Sequence, residues 1–376
     1  MIKILFLLHR IDFGGTEGQI IKLTDYLASR NYKTHMATLK NLSKDVSFLK
    51  NERITEFQFR GFKNRGFFTF LKALLNFCDT ASIDIVQSHF INEDLIALIL
   101  KLLRPRICFI MAKRNLLYRR LPLHLFLLEN YCMRRADAII TNSNGVRDRY
   151  KSLFRIRDKE IKVLYNGVDT KIYSPVSEEN RAAVKAEMGL KRTDFVVGSV
   201  ANWRDEKDPF CLLEAARLCK DYDRKIKFVV VGEGLLIDDM SRFVMANKLN
   251  NVHLVGKITP ALGTMRAFNI GVSTSVAEGF SNVILEFMAL GLPVVATAVG
   301  GTSEVVVHTR TGYLFEPKDP KGLCSYITKL KNESDLCARM GRLARARIKT
   351  EFSLDKMISR YDDFYRSLIS ERRSGQ

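Results

Sequence analysis

The chain has 376 residues, 47% of them hydrophobic, and a formal net charge of +19. That length fits two or three domains, and the apolar share is enough for sizeable cores, which excludes a disordered or collagen-like chain. No apolar run reaches the roughly 18 residues that a spanning helix needs, since even Leu95–Leu103 is broken by Lys101.

Met1–Leu8 begins like a short leader. No basic region precedes its apolar run, no small-residue cleavage site follows, and it leads straight into a glycine turn, so it reads as the first buried strand. Further strands are predicted at Lys33–Leu39, Ile83–Gln87, Ile107–Ala112, Ala138–Thr141 and Lys162–Leu164. Helices are predicted at Thr16–Arg30, Asn92–Leu103 and Pro122–Arg134. Asn166–Gly167 is a turn pair, and Asp169–Asn180 is a polar stretch with one proline. A second series then starts, with strands at Phe195–Val200, Lys227–Val231, Val252–Leu254, Ile270–Ser273 and Pro293–Ala296. Its helices are Pro209–Cys219, Leu235–Lys248, Pro260–Ala267, Asn282–Leu290 and several after Pro320. Apolar β-rich runs alternating with helical patterns indicate parallel sheets with helices on both faces. The period is that of two Rossmann-like domains. Ligands of such sheets bind beyond the carboxyl ends of the strands, so function is expected on the loops that follow them.

The seven cysteines form no CxxC pair and read as reduced core thiols of a cytoplasmic protein. The six histidines form no HxxxH or HExxH pattern, so no structural zinc site is expected. The charge is uneven: residues 1–170 carry +13 and residues 171–376 carry +6. Lys101–Arg120 holds seven cations and no acid. A solvated surface accounts for such a block, but so does an anionic partner such as phospholipid, nucleic acid or a phosphorylated substrate.

Four strand-end loops carry candidate chemistry. After the first strand, Gly14 and Gly15 precede a helix start, where free N–H groups suit a phosphate; a tight turn explains the glycines as well. After Val200, Arg204 and Lys207 sit just before a helix N-terminus, where cations oppose the macrodipole. A bound anion resolves that conflict, and so does a surface ion pair with Asp205, Glu206 or Asp208. Gly232-Glu233-Gly234 is a tight turn that backbone packing explains. The fourth loop, in EGFSNVILEFMALGLPVVAT, places Glu278 ahead of a helix and Glu286 about a turn into it, with Ser281 as its cap and Gly291 as its stop. Two carboxylates off one helix face do not make a shared-proton dyad. They suit a long polar ligand whose hydroxyls they accept from at separate points. Apolar neighbours on both sides of Glu286 make an unpaired carboxylate there costly.

These residues resemble a known family. FGGTEGQIIKLTDYL, DIVQSHF, ADAIITNS, VLYNGVD, VVVGEGLL, VHLVGKIT and EGFSNVILE followed by MALGLPVVATAVGGTSEVV occur in the order found in retaining glycosyltransferases of family 4, whose mark is the E-x7-E motif. The resemblance covers nearly the whole chain. It implies an α/β chain of GT-B fold, two Rossmann-like domains with parallel sheets facing across a central cleft. Residues 1–168 are then the acceptor-binding domain and 169–352 the nucleotide-sugar-binding domain. Residues 353–376 are a C-terminal helix packing back toward the first domain.

Position by position, the resemblance implies that Glu286 holds the nucleotide's ribose hydroxyls. It puts Glu278 on the donor sugar, with backbone N–H groups of Gly279 and Phe280 and the helix start at Ser281 and Asn282. Arg204 and Lys207 hold the pyrophosphate, with Asn202 beside them. Gly14 and Gly15 approach it from the other domain, and His89 lines the sugar site. Gly256, Lys257 and Ile258 lie near the base. Glu278, His89, Arg204 and Lys207 are the expected catalytic group. One departure is plain: the family often has Gly-Arg-Leu where this chain has Ala201-Asn202-Trp203, so Arg204 serves for the usual arginine, as in a second form of the motif with Asn and then Arg two residues on.

The resemblance further implies transfer from a UDP- or GDP-sugar with retention, by front-face attack in which a donor phosphate oxygen assists proton removal. No cofactor and no metal is expected, because cations and helix dipoles stabilise the leaving group. The expected acceptor is a lipid-linked oligosaccharide or cell-surface polysaccharide precursor. The expected location is cytoplasmic, peripheral on an anionic membrane surface. A GT-B nucleotide-sugar epimerase is an alternative. A basic nucleic-acid-binding protein is another, against which the chain offers no helix-turn-helix signal and no exposed aromatics interleaved on a basic strand.

Overall fold

The computed structural model describes residues 1–9, 15–39, 54–57, 59, 61–62, 66–116, 121–156 and 161–374. Gly14, Arg119 and Arg120 lie outside them. The chain forms two compact units, Met1–Tyr165 with Ile358–Gln376, and Asn166–Met357.

The first unit is built on β1 (Ile2–Leu8), α1 (Gly15–Leu27), β2 (Tyr32–Thr38), β3 (Ile54–Glu56), α2 (Phe67–Thr80), β4 (Ile85–Ser88), α3 (Ile91–Leu103), β5 (Cys108–Lys113), α4 (Leu123–Arg135), β6 (Ala138–Thr141), α5 (Asn144–Phe154) and β7 (Ile161–Val163). Its seven strands are all parallel, in the order β3-β2-β1-β4-β5-β6-β7. β1 lies inside the sheet, between β2 and β4, which is why Ile4–Leu8 is wholly buried and apolar throughout.

The second unit runs α6 (Glu178–Glu187), β8 (Phe195–Val200), α7 (Pro209–Tyr222), β9 (Ile226–Val231), α8 (Ile237–Ala246), β10 (Val252–Gly256), α9 (Leu262–Met265), β11 (Ile270–Ser273), α10 (Asn282–Ala289), β12 (Val294–Thr297), α11 (Thr302–Val305), β13 (Gly312–Phe315), α12 (Pro320–Asn332) and α13 (Ser334–Glu351). Its six strands are also parallel, in the order β10-β9-β8-β11-β12-β13. Strand order reverses between β8 and β11, and in the first unit between β1 and β4. Those switch points open a crevice at the carboxyl ends of the strands. Each sheet thus fixes where a ligand is received.

Helix α14 (Leu354–Ser374) crosses from one unit to the other. Val168 pairs with Ser353, so 166–168 stay with the second unit. From Ile358 onward α14 belongs to the first: Tyr365 donates to Gln87 Oε1 (2.7 Å), Tyr32 donates to Asp362 Oδ1 (2.6 Å), and Arg114 donates to the Tyr361 hydroxyl (2.8 Å). The contacts therefore cut the chain after Tyr165 and Met357, where the sequence suggested 168 and 352.

Candidate active site

The loop after β8 is anchored by Trp203. Its indole is buried and donates to the Val231 carbonyl (3.2 Å), and its amide donates to the Glu233 carbonyl (2.7 Å). The backbone packs so closely that a Cβ on Gly234 would lie 2.3 Å from the Trp203 carbonyl oxygen, and Gly234 has φ +148. The Gly232-Glu233-Gly234 turn is therefore a backbone fit, and its effect is to hold the loop that carries Arg204 and Lys207.

That loop is also stitched to the loop after β11. Thr274 donates through its hydroxyl to the Lys207 carbonyl (2.8 Å), and the Val276 amide donates to the Glu206 carbonyl (2.9 Å). Lys207 Nζ thereby meets Glu278 Oε2 at 2.5 Å, and the Ser275 hydroxyl donates to the same oxygen (3.3 Å). Helix α7 is capped by its own acid, Asp208, whose Oδ1 accepts from the Cys211 amide (3.3 Å). The misplaced cations thus find two different answers. Arg204 is half exposed with Nε 3.5 Å from Glu206 Oε1, the surface pair weighed above, whereas Lys207 turns to Glu278.

Helix α10 carries the second carboxylate. Gly271 in β11 lets it lie close, since a Cβ there would meet the Phe287 ring at 2.2 Å. Ser281 occupies the N-cap position but its side chain makes no capping hydrogen bond, contrary to expectation; Asn282, the next residue, instead accepts from Asn166 Nδ2 (2.8 Å). Glu286 is partly buried and hydrogen-bonded to the Tyr173 hydroxyl, whose pKa is raised by burial and by that carboxylate. Arg345 from α13 donates to the carbonyls of Tyr173 (3.1 Å) and Ala289, tying the tyrosine's backbone to the end of α10. Lys257 is paired with Glu233 (2.7 Å), and Ile258 beside it is 39% exposed. Asn202 is exposed.

In the first unit Gly15 opens α1 and His89 follows β4. His89 is buried, and its pKa is held well below the usual imidazole range by that burial and by the Arg114 and Lys113 charges. It is a neutral ring at physiological pH, with Nε2 3.3 Å from Gln87 Nε2. Its buried Nδ1 has no hydrogen-bond partner among the described residues. Beneath it lies an ionic cluster: Lys113 Nζ contacts Asp94 and lies 2.5 Å from Glu129 Oε1, and Ser88 donates to Asp94 Oδ1 (2.5 Å). Burial alone would lower the Lys113 pKa, but the two carboxylates more than offset it and hold the ammonium charged. Lys113 and Arg114 are therefore interior groups, not part of an exposed basic rim. Lys101 pairs with Asp137, and Arg104 and Arg106 both pair with Asp79. A cavity of about 1160 Å³ lies elsewhere in this unit, lined by β6, β7 and α14; no predicted site residue borders it.

Residues 13–172 match the model of Glycosyltransferase Family 4, and residues 180–347 match that of Glycosyl transferases group 1. Between them they take in most of the chain, one on each unit. The chain belongs to the family 4-like glycosyltransferases.

The chain is 25% identical over 257 residues to N-acetyl-alpha-D-glucosaminyl L-malate synthase of Bacillus anthracis (66% of this chain, 64% of the relative). It is 26% identical over 250 residues to the capsular polysaccharide biosynthesis glycosyltransferase CapM of Staphylococcus aureus (66% of each). The matched stretch spans just under two thirds of those relatives' length. Among solved structures, HepE from Anabaena, in complex with UDP and glucose, superposes with a TM-score of 0.87 at 21% identity, covering 98% of this chain and 100% of that one. Sucrose-phosphate synthase from Thermosynechococcus elongatus gives 0.82 at 19% identity (99% and 100%). The fold is GT-B.

Of the predicted residues in the second unit, Lys207 and Glu278 are brought into contact, while Arg204, Lys257 and Glu286 each take a different partner. Gly15 and His89 belong to the first unit. Trp203, Tyr173 and Arg345 were not singled out from the sequence. Trp203 carried a signal, as the one tryptophan in the chain, placed between a strand end and a charged loop. Tyr173 and Arg345 carried none, because their contacts join distant points of the chain. No helix among the described residues is long and apolar enough to cross a membrane, and none of their His, Cys, Asp or Glu side chains form a metal-binding group of three or more.

Proposed function

We propose that this chain is a retaining glycosyltransferase that moves a sugar from a UDP- or GDP-sugar to a lipid-linked or cell-surface polysaccharide precursor, without a metal. The observation that carries the proposal is the Lys207–Glu278 contact at the switch point of the second unit, with Glu286 eight residues on in α10. Cation and carboxylate side by side suit the join between a pyrophosphate and a sugar. Glu278 accepts from sugar hydroxyls, with Gly279, Phe280, Ser281 and Asn282 alongside. Lys207 and Arg204 take the charge that develops on the leaving diphosphate, the electrostatic role a metal plays elsewhere. Glu286, oriented by Tyr173, accepts from the ribose hydroxyls, and Gly256, Lys257 and Ile258 border the base. His89, neutral and with an open nitrogen, is a hydrogen-bonding group for the sugar in the first unit. CapM, named for capsular polysaccharide biosynthesis, supports the choice of acceptor class.

The test is a panel of nucleotide sugars read by released UDP or GDP, with and without a membrane lipid extract, in EDTA. One donor should be consumed only when acceptor is present. Glu286→Gln should weaken nucleotide-sugar binding by about 10- to 100-fold, the loss of a charged acceptor worth about 1.5–3 kcal/mol. Release of free UDP without acceptor points to the epimerase. Loss of turnover in EDTA, restored by manganese, overturns the metal-free mechanism.

A further inference from the structure

Helices α7 and α12 bring two thiols together. Cys219 Sγ lies 3.0 Å from Cys324 Sγ, across 105 residues of sequence. Cys219 is wholly buried, whereas Cys324 is partly open to solvent. The pair stands apart from the other five cysteines, which have no such neighbour among the described residues and whose thiols burial pushes up to between about 11 and 12. We infer that Cys219 and Cys324 form a reversible dithiol–disulfide site, oxidised by a hydroperoxide and independent of the sugar-transfer chemistry.

Three features support it. An S–S bond is about 2.05 Å long, so the two sulfurs need close by only about an ångström. The Cys324 thiol is pushed down to about 7, first by the hydrogen bond that Cys219 donates to it, with a further one from Thr328. It is therefore the readier of the two thiols to ionise, and the thiolate is the reactive form. Cys324 is also the accessible partner, so attack begins there. The Cys324 sulfur takes the terminal oxygen of the peroxide, the O–O bond breaks, and the other oxygen leaves as water, or as an alcohol from an organic peroxide. The Cys219 sulfur then attacks the Cys324 sulfenic acid, an S–S bond forms, the S–O bond breaks, and a second water leaves with the Cys219 proton. Two thiols lose two electrons and the peroxide gains them. A thiol reductant reverses the bond by exchange.

The experiment treats the folded full-length chain with equimolar hydrogen peroxide, alkylates the remaining thiols under denaturing conditions, and maps the peptides by mass spectrometry. The expected result is one Cys219–Cys324 cross-linked peptide and a chain lighter by two hydrogens, both reversed by dithiothreitol. The oxidised chain should also melt higher than the reduced one, since the bond closes a long loop. Cys324→Ser should give no cross-link, and Cys219→Ser should stop at a Cys324 sulfenic acid that dimedone traps. The wild-type map needs no variant to fold. Cys219 and Cys324 both fully alkylated after treatment, or Cys324 carried on to sulfinic acid with Cys219 untouched, overturns the proposal.

Discussion

Glu93, in the first turn of α3, is wholly buried, and its carboxyl is pushed up to about 7. Burial is the larger cause, opposed by its own backbone hydrogen bond and by Lys113. The His9 ring faces it from the end of β1, Nδ1 at 3.3 Å from Oε1. The folded chain thus favours the protonated acid more than the unfolded chain does. That contribution is fully present below the ordinary value of 4.5 and is lost as pH rises through about 7. Glu93→Gln keeps the shape and removes the titration. Between pH 5 and 8 the wild type should lose about 2 kcal/mol more stability than the variant, read from urea midpoints. A variant that falls in parallel with the wild type over that window shows that Glu93 is not the group responsible. Its neighbour Asp94 also has a raised carboxyl, because burial and Glu129 outweigh the Lys113 ammonium; the substitution at Glu93 leaves that group in place.

Helix α4 turns an unusual face to solvent. Leu123, Leu127 and Tyr131, spaced by four, are 72%, 56% and 47% exposed. Leu102 and Leu103, at the end of α3, are exposed as well, and the Arg135 guanidinium lies 5.4 Å over the Tyr131 ring. An apolar stripe beside Arg134 and Arg135 suits an anionic bilayer surface, where the leucines enter the interface and each cation adds about 1 kcal/mol. This face, rather than the buried Lys113 and Arg114, presents the apolar and cationic groups that a bilayer surface would meet. Flotation with anionic and neutral liposomes checks it: Arg134→Glu with Arg135→Glu should cut binding to anionic vesicles more than tenfold, and Leu123→Asp with Leu127→Asp should reduce it too. Equal flotation of wild type with both vesicle types rules the contact out. Other helices show what local pattern can reveal. The predicted helix over Pro122–Arg134 is α4, observed at Leu123–Arg135, because proline fits a helix start. Helix α5 was not predicted: it is mostly polar and buries only Val146, Tyr150 and Phe154, too thin a stripe to stand out. Strand β13 was missed because four residues at a sheet edge carry too little pattern to register.

The first unit is discontinuous in sequence, completed by the chain's last turns, while the second is a single stretch. Ending the chain after Met357 removes Tyr361 and Tyr365, both buried, and takes one hydrogen-bond partner from each of Tyr32, Gln87 and Arg114. Losing two buried aromatic side chains costs on the order of 6 kcal/mol or more, comparable with the whole stability of a domain, about 5–15 kcal/mol. The shortened chain should therefore lose the first unit's protease resistance while Asn166–Met357 keeps a cooperative transition; limited proteolysis and calorimetry read the two separately. If both units stay folded, α14 is an ornament to the first. The sequence alone determined the α/β class, the two strand–helix series and the loops to inspect, because strand burial and helix starts leave patterns within a few residues. It also marked Glu278 and Glu286, because their spacing and the turn between them are local. Only the tertiary structure decided that Lys207 answers Glu278, that Tyr173 orients Glu286, that Lys113 is an interior ion and that Cys219 meets Cys324. Each of those contacts joins segments far apart in the chain, and which of many possible partners a side chain meets depends on sheet order and helix packing, which no local pattern encodes.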